Sequence, residues 1–559
     1  MARTVSIGEQ NFERLITENC FYVDKTSFIK EWWENKDIVT LLTRPRRFGK
    51  TLNMNMLDRF FSIEYKGKGD VFQNLTIWQE EEYRKLQGTY PVLFLSFAGV
   101  KSDNYVDARE QIFQIITDLF SKNEYLRDSG KLGEKDKEFF DRVGREMSNS
   151  TASMAIHELT GYLYRYYGRK VIILLDEYDT PLQEAYVGGY WEELVSFIRN
   201  LFNNTFKTNP YLERAMMTGI TRVSKESLFS DLNNLNVVTT TSNEYASCFG
   251  FTEKEVFSAM DEFGMKNKEE VKRWYDGFAI GNLRDIYNPW SIICFLDKKQ
   301  LKPYWANTSS NGLIDRLIRE GSRGIKMQFE LLLADKTIRS RIHEEMAFNQ
   351  LEGSERAVWS LLLAAGYLKI IEIHDKEYEL FLTNYEVKLT FEDMVRDWFD
   401  ERSGDYNDFI KALLKDDIES MNDYMSVIAE TMFSFFDGGQ KPSEKNTPER
   451  FYHGFVLGLL VDLAGRYEVT SNRESGFGRY DVMLRPLRPK DFGIIMEFKI
   501  YNPKKESSLE ETVQAALDQI EEKKYEQTFL AQGIDKERIR KYGFAFKGKE
   551  VLIGSAHLP

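Results

Sequence analysis

The sequence predicts an α/β protein that opens with a parallel sheet, continues through a helical, winged-helix-like region and closes with a smaller α/β domain. Three observations predict this order. An apolar strand, residues 37–43, runs into Gly49-Lys50-Thr51 and a helix. A second apolar strand, residues 170–175, ends on two acids. A third, residues 492–500, carries an acid and a lysine two positions apart.

Composition narrows the class of protein. The 559 residues are 42% hydrophobic, which is enough to bury large cores and argues against a disordered chain. The net charge of −13 argues against a general nucleic-acid coat, but residues 451–559 are close to neutral. The three cysteines lack metal-ligand spacing, and the chain shows no signal segment and no apolar run of about 18 residues. We therefore expect a cytoplasmic protein without a membrane span.

The first strand, its loop and the helix that follows have the layout of a phosphate-binding loop. Backbone N–H groups at the start of the helix, residues 52–61, would face the phosphates of a nucleotide. Gly49 closes the turn, Lys50 would reach the β- and γ-phosphates, and the Thr51 hydroxyl would hold Mg²⁺. The alternative is an ordinary helix start capped by Thr51.

The loop departs from the usual pattern at Arg44, which stands five residues before Gly49 where another Gly is normally found. Arg46 and Arg47 follow, and both are candidates for binding the nucleotide. Upstream, residues 21–34 form either a lid beside the base or, as we favour, a packed aromatic core.

The next elements lead to the acidic strand. Hydrophobic periodicity predicts a strand over residues 91–97 and helices over residues 105–121 and 154–167. Asp176 and Glu177 end the following strand, at the sheet edge where α/β proteins bind ligands. Asp176 would hold Mg²⁺ through a water, and Glu177 would orient or deprotonate the attacking water. Tyr178 and Asp179 are nearby candidates without a defined role. The alternative is an acidic strand end that faces solvent.

A helix over residues 192–206 precedes a fourth strand, residues 211–220, and residues 237–240 suggest a fifth. Thr218 or Thr221 could sense the γ-phosphate, and Arg222 could neutralise charge in the transition state. Helix capping is the alternative role for the two threonines.

Four segments together resemble the bacterial AAA-ATPase-like family, whose members commonly carry a C-terminal PD-(D/E)XK nuclease-superfamily domain. The resemblance covers the chain from about residue 5 onward and includes the Arg44 departure. It implies a P-loop ATPase parallel sheet with an extra strand between the phosphate-loop strand and the acidic strand, then a helical lid, then an α/β restriction-endonuclease-like domain. The segments are Phe21-Tyr-Val-Asp-Lys-Thr26, Arg44-Pro-Arg-Arg-Phe-Gly-Lys-Thr51, Leu175-Asp-Glu-Tyr-Asp-Thr-Pro181 and Thr218-Gly-Ile220.

We divide the chain into residues 1–250, 251–440 and 441–559. In the middle segment, a capping box is predicted at Thr252 and Glu255. Aromatic runs around residues 274–278 and 287–292 resemble the family's lid, which would either transmit nucleotide state or simply pack. An apolar helix and two strands over residues 359–383 resemble a winged helix, which we favour as a structural linker over a DNA reader.

The last segment carries a second constellation. Strand alternation puts Glu497 and Lys499 on one face, with Met496, Phe498 and Ile500 directed into a core. Asp481 on a neighbouring strand would join Glu497 in holding Mg²⁺. Lys499 would position a water and balance charge, and Gln519 on the next helix would orient the site.

This order resembles the PD-(D/E)XK pattern, which also suggests Glu449 and His453 on the preceding helix. The alternative is a hairpin with an exposed ion pair. The basic run over residues 536–541, with Lys547 and Lys549, would contact phosphates or form a solvated helix.

The leading hypothesis is an ATPase joined to a metal-dependent nuclease, in which ATP controls the access of nucleic acid, foremost DNA. The second is a nucleotide-dependent switch whose last domain only binds nucleic acid or a protein. A third is a transport or scaffold ATPase with a decayed nuclease fold. A monomer suffices if Arg222 acts in cis, whereas an arginine supplied in trans requires an oligomer.

Overall fold

A computed structural model describes residues 3–221, 228–229, 232–305, 312–319, 321–343, 351, 354–397, 403–436, 447–471, 474–475, 478–479, 481–548 and 550–556. The helices of this described part are α1 (Phe12–Thr17), α2 (Ser27–Asn35), α3 (Lys50–Phe61), α4 (Glu81–Leu86), α5 (Tyr105–Lys122), α6 (Glu134–Arg142), α7 (Asn149–Tyr167), α8 (Thr180–Gly188), α9 (Trp191–Phe206), α10 (Glu253–Glu262), α11 (Lys268–Tyr275), α12 (Pro289–Lys298), α13 (Gly312–Arg319), α14 (Arg323–Leu333), α15 (Glu355–Ala365), α16 (Tyr385–Asp397), α17 (Ser403–Lys415), α18 (Ile418–Phe436), α19 (Thr447–Asp462), α20 (Leu509–Glu522) and α21 (Gln527–Leu530).

The strands of the same residues form two larger sheets and three small ones. They are β1 (Val39–Thr43), β2 (Val92–Ser96), β3 (Val171–Asp176), β4 (Leu212–Gly219), β5 (Leu235–Val238), β6 (Phe251–Thr252), β7 (Phe278–Ile280), β8 (Leu283–Tyr287), β9 (Ile338–Ser340), β10 (Leu368–His374), β11 (Glu377–Leu382), β12 (Tyr467–Ser471), β13 (Glu474–Ser475), β14 (Gly478–Arg479), β15 (Val482–Pro486), β16 (Gly493–Ile500), β17 (Ile539–Lys547) and β18 (Glu550–Ser555).

The chain divides into two compact units, Met1–Ser310 with Arg339–Val387 and Asn311–Ile338 with Lys388–Pro559. The mixed α/β architecture agrees with the fold class that the sequence predicts. The division at residues 250 and 440 stays a prediction. None of the described helices is both long enough and apolar enough to cross a lipid bilayer.

The first unit is built on a parallel five-stranded sheet in the order β2-β3-β4-β1-β5. Every residue of β1 and of β3 is buried, as expected for strands covered on both faces. Strand β4 lies between β1 and β3, which confirms the extra strand that the family resemblance implies. The carboxyl ends of these three strands therefore meet at one edge.

Beyond the sheet, the first unit contains the expected middle elements. The Thr252 hydroxyl accepts a hydrogen bond from the Glu255 backbone N–H, and the Glu255 carboxylate accepts one from the Thr252 N–H, so the predicted capping box is formed. Helix α15 is followed by the antiparallel pair β10 and β11, with β9 as a third strand. The helix-then-hairpin pattern is present, and its role as a linker stays a prediction.

The second unit contains a mixed sheet in the order β12-β15-β16-β17-β18, in which only β16 and β17 pair in parallel. Helix α20 connects β16 to β17 and packs on one face. Side chains of α17, α18 and α19 cover the other face, where Met496 is buried and Phe498 packs. Ile500 is an exception to the predicted core face, since it is half exposed at the strand end.

Candidate functional sites

The predicted phosphate-binding loop lies between β1 and α3. Gly49 has a φ of 82°, a backbone conformation that is strained for residues with a side chain, and it directly precedes the helix. The Lys50 ammonium is buried and donates hydrogen bonds to the carbonyl oxygens of Arg44, at 3.0 Å, and Pro45, at 2.9 Å. Burial lowers the pKa of Lys50, and nearby Glu177 is the largest influence opposing that change.

Arg44 explains how the loop forms without the usual Gly. Its fully buried guanidinium donates to the carbonyl oxygens of Thr43, Thr239 and Glu244 at 2.8 to 3.1 Å. It also lies 5.8 Å from the ring centroid of Phe249, and burial lowers its pKa to about 10. Arg44 therefore braces the loop against the chain that follows β5.

Asp176 brings the acidic strand to the loop. One carboxylate oxygen accepts a hydrogen bond from the Thr51 hydroxyl at 2.7 Å, and the other accepts one from the Thr218 hydroxyl. Asp176 is 1% exposed, and burial raises its pKa, while the two hydroxyl donors oppose that rise. A hydroxyl and a carboxylate that meet beside a phosphate-loop lysine are a donor set that fits Mg²⁺.

Two acids after Asp176 have different surroundings: Glu177 faces the cavity, and Asp179 is buried in hydrogen bonds to the chain after β4. Glu177 lines the cavity and has a φ of 51°, which is uncommon for a non-glycine residue. Asp179 is buried and accepts hydrogen bonds from the backbone N–H groups of Ile220 and Thr221 and from the Thr221 hydroxyl. Thr221 therefore anchors Asp179, whereas Thr218 holds Asp176. Arg222 lies outside the described residues.

A cavity of about 440 Å³ opens over the phosphate loop. That volume lies within the range of small-molecule sites. Arg46 and Arg47 line it with Gly49 to Thr51, and so does the N-terminal segment that we expected to be core. Phe21 is both buried and part of the cavity wall, so the two interpretations of this segment are compatible. Other lining residues include Gly8, Glu9, Gln10, Tyr22, Val23, Lys25, Pro289, Trp290 and Ile293.

Residues 274–305, which contain both aromatic runs that resemble the family's lid and are called the lid below, contact the phosphate loop directly. Asn288 donates its side-chain N–H to the Arg46 carbonyl oxygen at 3.1 Å, and the indole N–H of Trp305 donates to the same oxygen at 3.0 Å. The Arg47 guanidinium lies 4.3 Å from the ring centroid of Trp290. Sequence reasoning singled out the segment around Asn288 but missed Trp305, which has no local pattern that would identify it.

The second constellation lies on the face of the C-terminal sheet that α20 covers. Asp481 directly precedes β15 and accepts a hydrogen bond from the Phe498 backbone N–H of β16 at 2.9 Å. Gln519 of α20 accepts a hydrogen bond from the Lys499 ammonium at 2.7 Å and donates one to Glu497. The structure thus brings all four predicted residues of this site together.

Glu497 has the environment of a cation ligand. It is 3% exposed, and its second carboxylate oxygen is buried with no hydrogen-bond partner in the described part of the chain. Burial first, and then the neighbouring Asp481, raises the pKa of Glu497 to about 8. An unpartnered carboxylate oxygen beside a second carboxylate fits a hard divalent cation such as Mg²⁺.

Tyr525 belongs to this cluster, and sequence reasoning missed its role. Its buried hydroxyl lies 3.2 Å from the Gln519 side-chain nitrogen. Helix α20 ends at Glu522, and Lys524 turns the chain with a φ of 53°, which returns Tyr525 to the site. Helical spacing from Gln519 could not identify it, because the helix does not reach position 525.

Two remaining expectations have different outcomes. The prediction of a solvated helix over residues 536–541 is wrong, because a short 3₁₀ turn there leads into β17. Within it, Lys541 is buried against Glu526 and Glu521, and Arg540 donates to a backbone carbonyl. The predicted roles of the Glu449 and His453 side chains lie outside what the structure describes.

Comparisons with known proteins give one family match for the region of each of the two sites. Residues 6–229 match a family described as "Predicted AAA-ATPase", and residues 447–556 match the PD-(D/E)XK nuclease superfamily. These matches confirm the resemblance found in the sequence. A protein of Azotobacter chroococcum mcd 1, named "Uncharacterized protein in vnfD 5'region", is 27% identical over 393 residues, covering 69% of this chain and 68% of that protein.

Proposed function

We propose that this chain binds and hydrolyses ATP above Lys50 and that its C-terminal domain is a Mg²⁺-dependent nuclease acting on DNA. One observation carries the ATPase half. The Thr51 hydroxyl and the Asp176 carboxylate, 125 residues apart in sequence, meet at 2.7 Å at the end of the phosphate loop. The match to an ATPase-like family supports the same half in general terms.

Each residue of the first site has a role that follows from its placement. Lys50, Arg46 and Arg47 supply positive charge for the phosphates. Thr51 and Asp176 would hold Mg²⁺, which when bound offsets phosphate charge, and Thr218 orients Asp176. Glu177 at the cavity wall orients or deprotonates the attacking water.

The second site divides its roles in the same way. Asp481 and Glu497 would hold Mg²⁺, which when bound polarises the phosphodiester and lowers the pKa of a water. Lys499 positions that water and balances negative charge as the bond breaks. Gln519 forms hydrogen bonds with both Glu497 and Lys499, so it keeps the carboxylate and the ammonium group at a fixed separation.

Two assays test the proposal with the full-length protein. Lys50→Ala should abolish release of phosphate from ATP, and Asp481→Ala or Lys499→Ala should abolish Mg²⁺- or Mn²⁺-dependent cleavage while ATP turnover continues. Substrates should include single-stranded, duplex and structured DNA and RNA. Lys490→Ala, which changes an exposed lysine in the turn before β16, is the matched control. Normal turnover by Lys50→Ala, or cleavage that survives Asp481→Ala, would show that the corresponding half is wrong.

The contacts of the lid with the phosphate loop favour a second candidate, a nucleotide-dependent switch that binds nucleic acid or a protein without cutting. Asn288 and Trp305 both donate hydrogen bonds to the loop backbone, so a shift of the loop on nucleotide binding or hydrolysis would change the position of the lid. ATP-dependent binding of nucleic acid with no cleavage in either metal would support the switch over the nuclease.

A further inference from the structure

The Arg46 carbonyl oxygen is the meeting point of the loop and the lid. It accepts hydrogen bonds from Asn288 and from Trp305, which are 242 and 259 residues further along the chain. A backbone carbonyl has two lone pairs, so both are used by these donors. The preceding carbonyls, of Arg44 and Pro45, are both held by the Lys50 ammonium.

Fixing this carbonyl fixes the peptide group that follows. Because a peptide bond is planar and trans, the Arg47 N–H points to the side opposite the Arg46 C=O. Arg47 itself has a φ of 63°, so the chain turns sharply just where the carbonyl is anchored. Phosphate loops bind their ligand through backbone N–H groups, so the direction of these peptides decides how well phosphate fits.

The two donors are themselves held in a buried network. Asn288 is fully buried, and its side-chain oxygen caps α12 by accepting a hydrogen bond from the Trp290 N–H at 2.9 Å. The backbone N–H of Trp305 donates at 2.6 Å to the buried carboxylate of Glu386, which also accepts a hydrogen bond from Ser291 of α12 at 2.8 Å. Asn288 and Trp305 are therefore both tied by hydrogen bonds to α12, Asn288 directly and Trp305 through Glu386.

Packing adds to the rigidity of Trp305. Its ring lies 5.5 Å from the ring of Phe278 and 5.2 Å from that of Tyr367, measured between centroids. These two rings restrict the orientation of the indole, whose N–H donates to the Arg46 carbonyl oxygen. The hydrogen bonds from Asn288 and Trp305 reach only the backbone oxygen of Arg46, so the Arg46 side chain takes no part in joining the loop to the lid.

We propose that Asn288 and Trp305 are positioning residues that hold the phosphate loop in the shape that binds ATP, so that the lid regulates nucleotide affinity. This inference rests on the proposed ATP site. The lid acts through the peptide direction at Arg46 and not through a contact with the phosphates. Displacing the lid releases that carbonyl and weakens nucleotide binding, and bound nucleotide in turn favours the docked lid.

Two substitutions remove one donor each with little other change. Trp305→Phe keeps an aromatic ring but deletes the indole N–H. Asn288→Ser keeps an oxygen that can cap α12 but deletes the amide donor. The matched control is Trp359→Phe, because Trp359 is equally buried and its indole N–H has no hydrogen-bond partner among the described residues.

The experiment measures the Kd for ATP and for a non-hydrolysable analogue with Mg²⁺, the KM and kcat of hydrolysis, and the thermal unfolding midpoint without nucleotide. We expect Trp305→Phe and Asn288→Ser each to raise the Kd and KM about three- to tenfold, the range for one lost hydrogen bond. The unfolding midpoint of Trp305→Phe should match that of the Trp359→Phe control, whose Kd should stay at the wild-type value.

Three outcomes would overturn the inference, and they are distinguishable. If wild-type protein binds ATP and both variants bind it equally well, the positioning role is wrong and the ATP site stands. If wild-type protein does not bind ATP, the proposed function and this inference fail together. A parallel rise of Kd in the Trp359→Phe control would assign the effect to general loosening and also overturn the inference.

Discussion

Replacing Glu497 by Gln should change how the stability of the C-terminal sheet depends on pH. In the unfolded chain this carboxyl titrates near 4.5, whereas in the folded chain its pKa is about 8, because it is buried beside Asp481. Between these values the folded state keeps a proton that the unfolded state has lost. The contribution of this group to stability is therefore full below pH 4.5 and is lost as the pH rises through about 8.

The magnitude follows from the difference between the two pKa values. A change from 4.5 to about 8, at about 1.4 kcal/mol per pH unit, sets an upper limit of about 5 kcal/mol. Because Lys499 and Gln519 can reorganise around an ionised Glu497, we expect about 2 kcal/mol to be measured. Glu497→Gln has no proton to lose, so its advantage over the wild type should grow by about 2 kcal/mol between pH 5 and pH 9.

The assay must report on this sheet alone. Eight of the nine tryptophans lie in the first unit, so total tryptophan fluorescence reports mainly on that unit. Amide hydrogen exchange of peptides covering residues 493–500, in metal-free protein, gives the opening free energy of β16 directly. The difference at pH 5 is the baseline for the amide substitution itself. A difference that is the same at pH 5 and pH 9 would refute the reasoning, and so would Mg²⁺ stabilising the variant as strongly as the wild type at pH 8.

Three further substitutions test other parts of the two sites. Arg44→Gly restores the usual loop pattern, yet it should destabilise the protein by about 3 kcal/mol in nucleotide-free thermal unfolding, since three buried hydrogen bonds are lost; an unchanged midpoint would contradict the bracing role. Thr218→Val removes a donor that opposes the raised pKa of Asp176, so ATP hydrolysis should fall about tenfold and its acid limb should move to higher pH; a superimposable pH profile would argue against it. Tyr525→Phe should slow Mg²⁺-dependent cleavage about three- to tenfold, since Gln519 loses a partner, with hydrogen exchange of α20 unchanged; full activity would make the hydroxyl dispensable.

The sequence was most informative where chemistry and local pattern coincide. Gly49, Lys50 and Thr51 follow a buried strand, and Asp176 ends another, so the sheet edge they share could be predicted from short-range signals. Glu497 and Lys499 could be placed on one face because strand alternation has a period of two. In each case a few adjacent residues carry both the element and the chemistry.

The rest depended on contacts between distant parts of the chain. The partners of Arg44 include a carbonyl 195 residues away, so its bracing role has no local signature. Trp305 reaches the loop across 259 residues, and Tyr525 returns to Gln519 only because the chain turns after α20. The run around Lys541 suggested a solvated helix because Glu537 is interleaved with its basic residues. The acids that bury Lys541, Glu521 and Glu526, lie 20 and 15 residues earlier in the chain, outside that run.

The use of a main-chain oxygen at position 46 has a consequence for how this protein can vary. Any amino acid at position 46 supplies the same backbone acceptor. Substitutions there would therefore change the charge in the cavity and keep the hydrogen bonds to the lid. Only the donors, Asn288 and Trp305, can be lost by a single exchange. A screen that randomises position 46 should therefore recover variants of altered nucleotide preference whose response to lid displacement is intact.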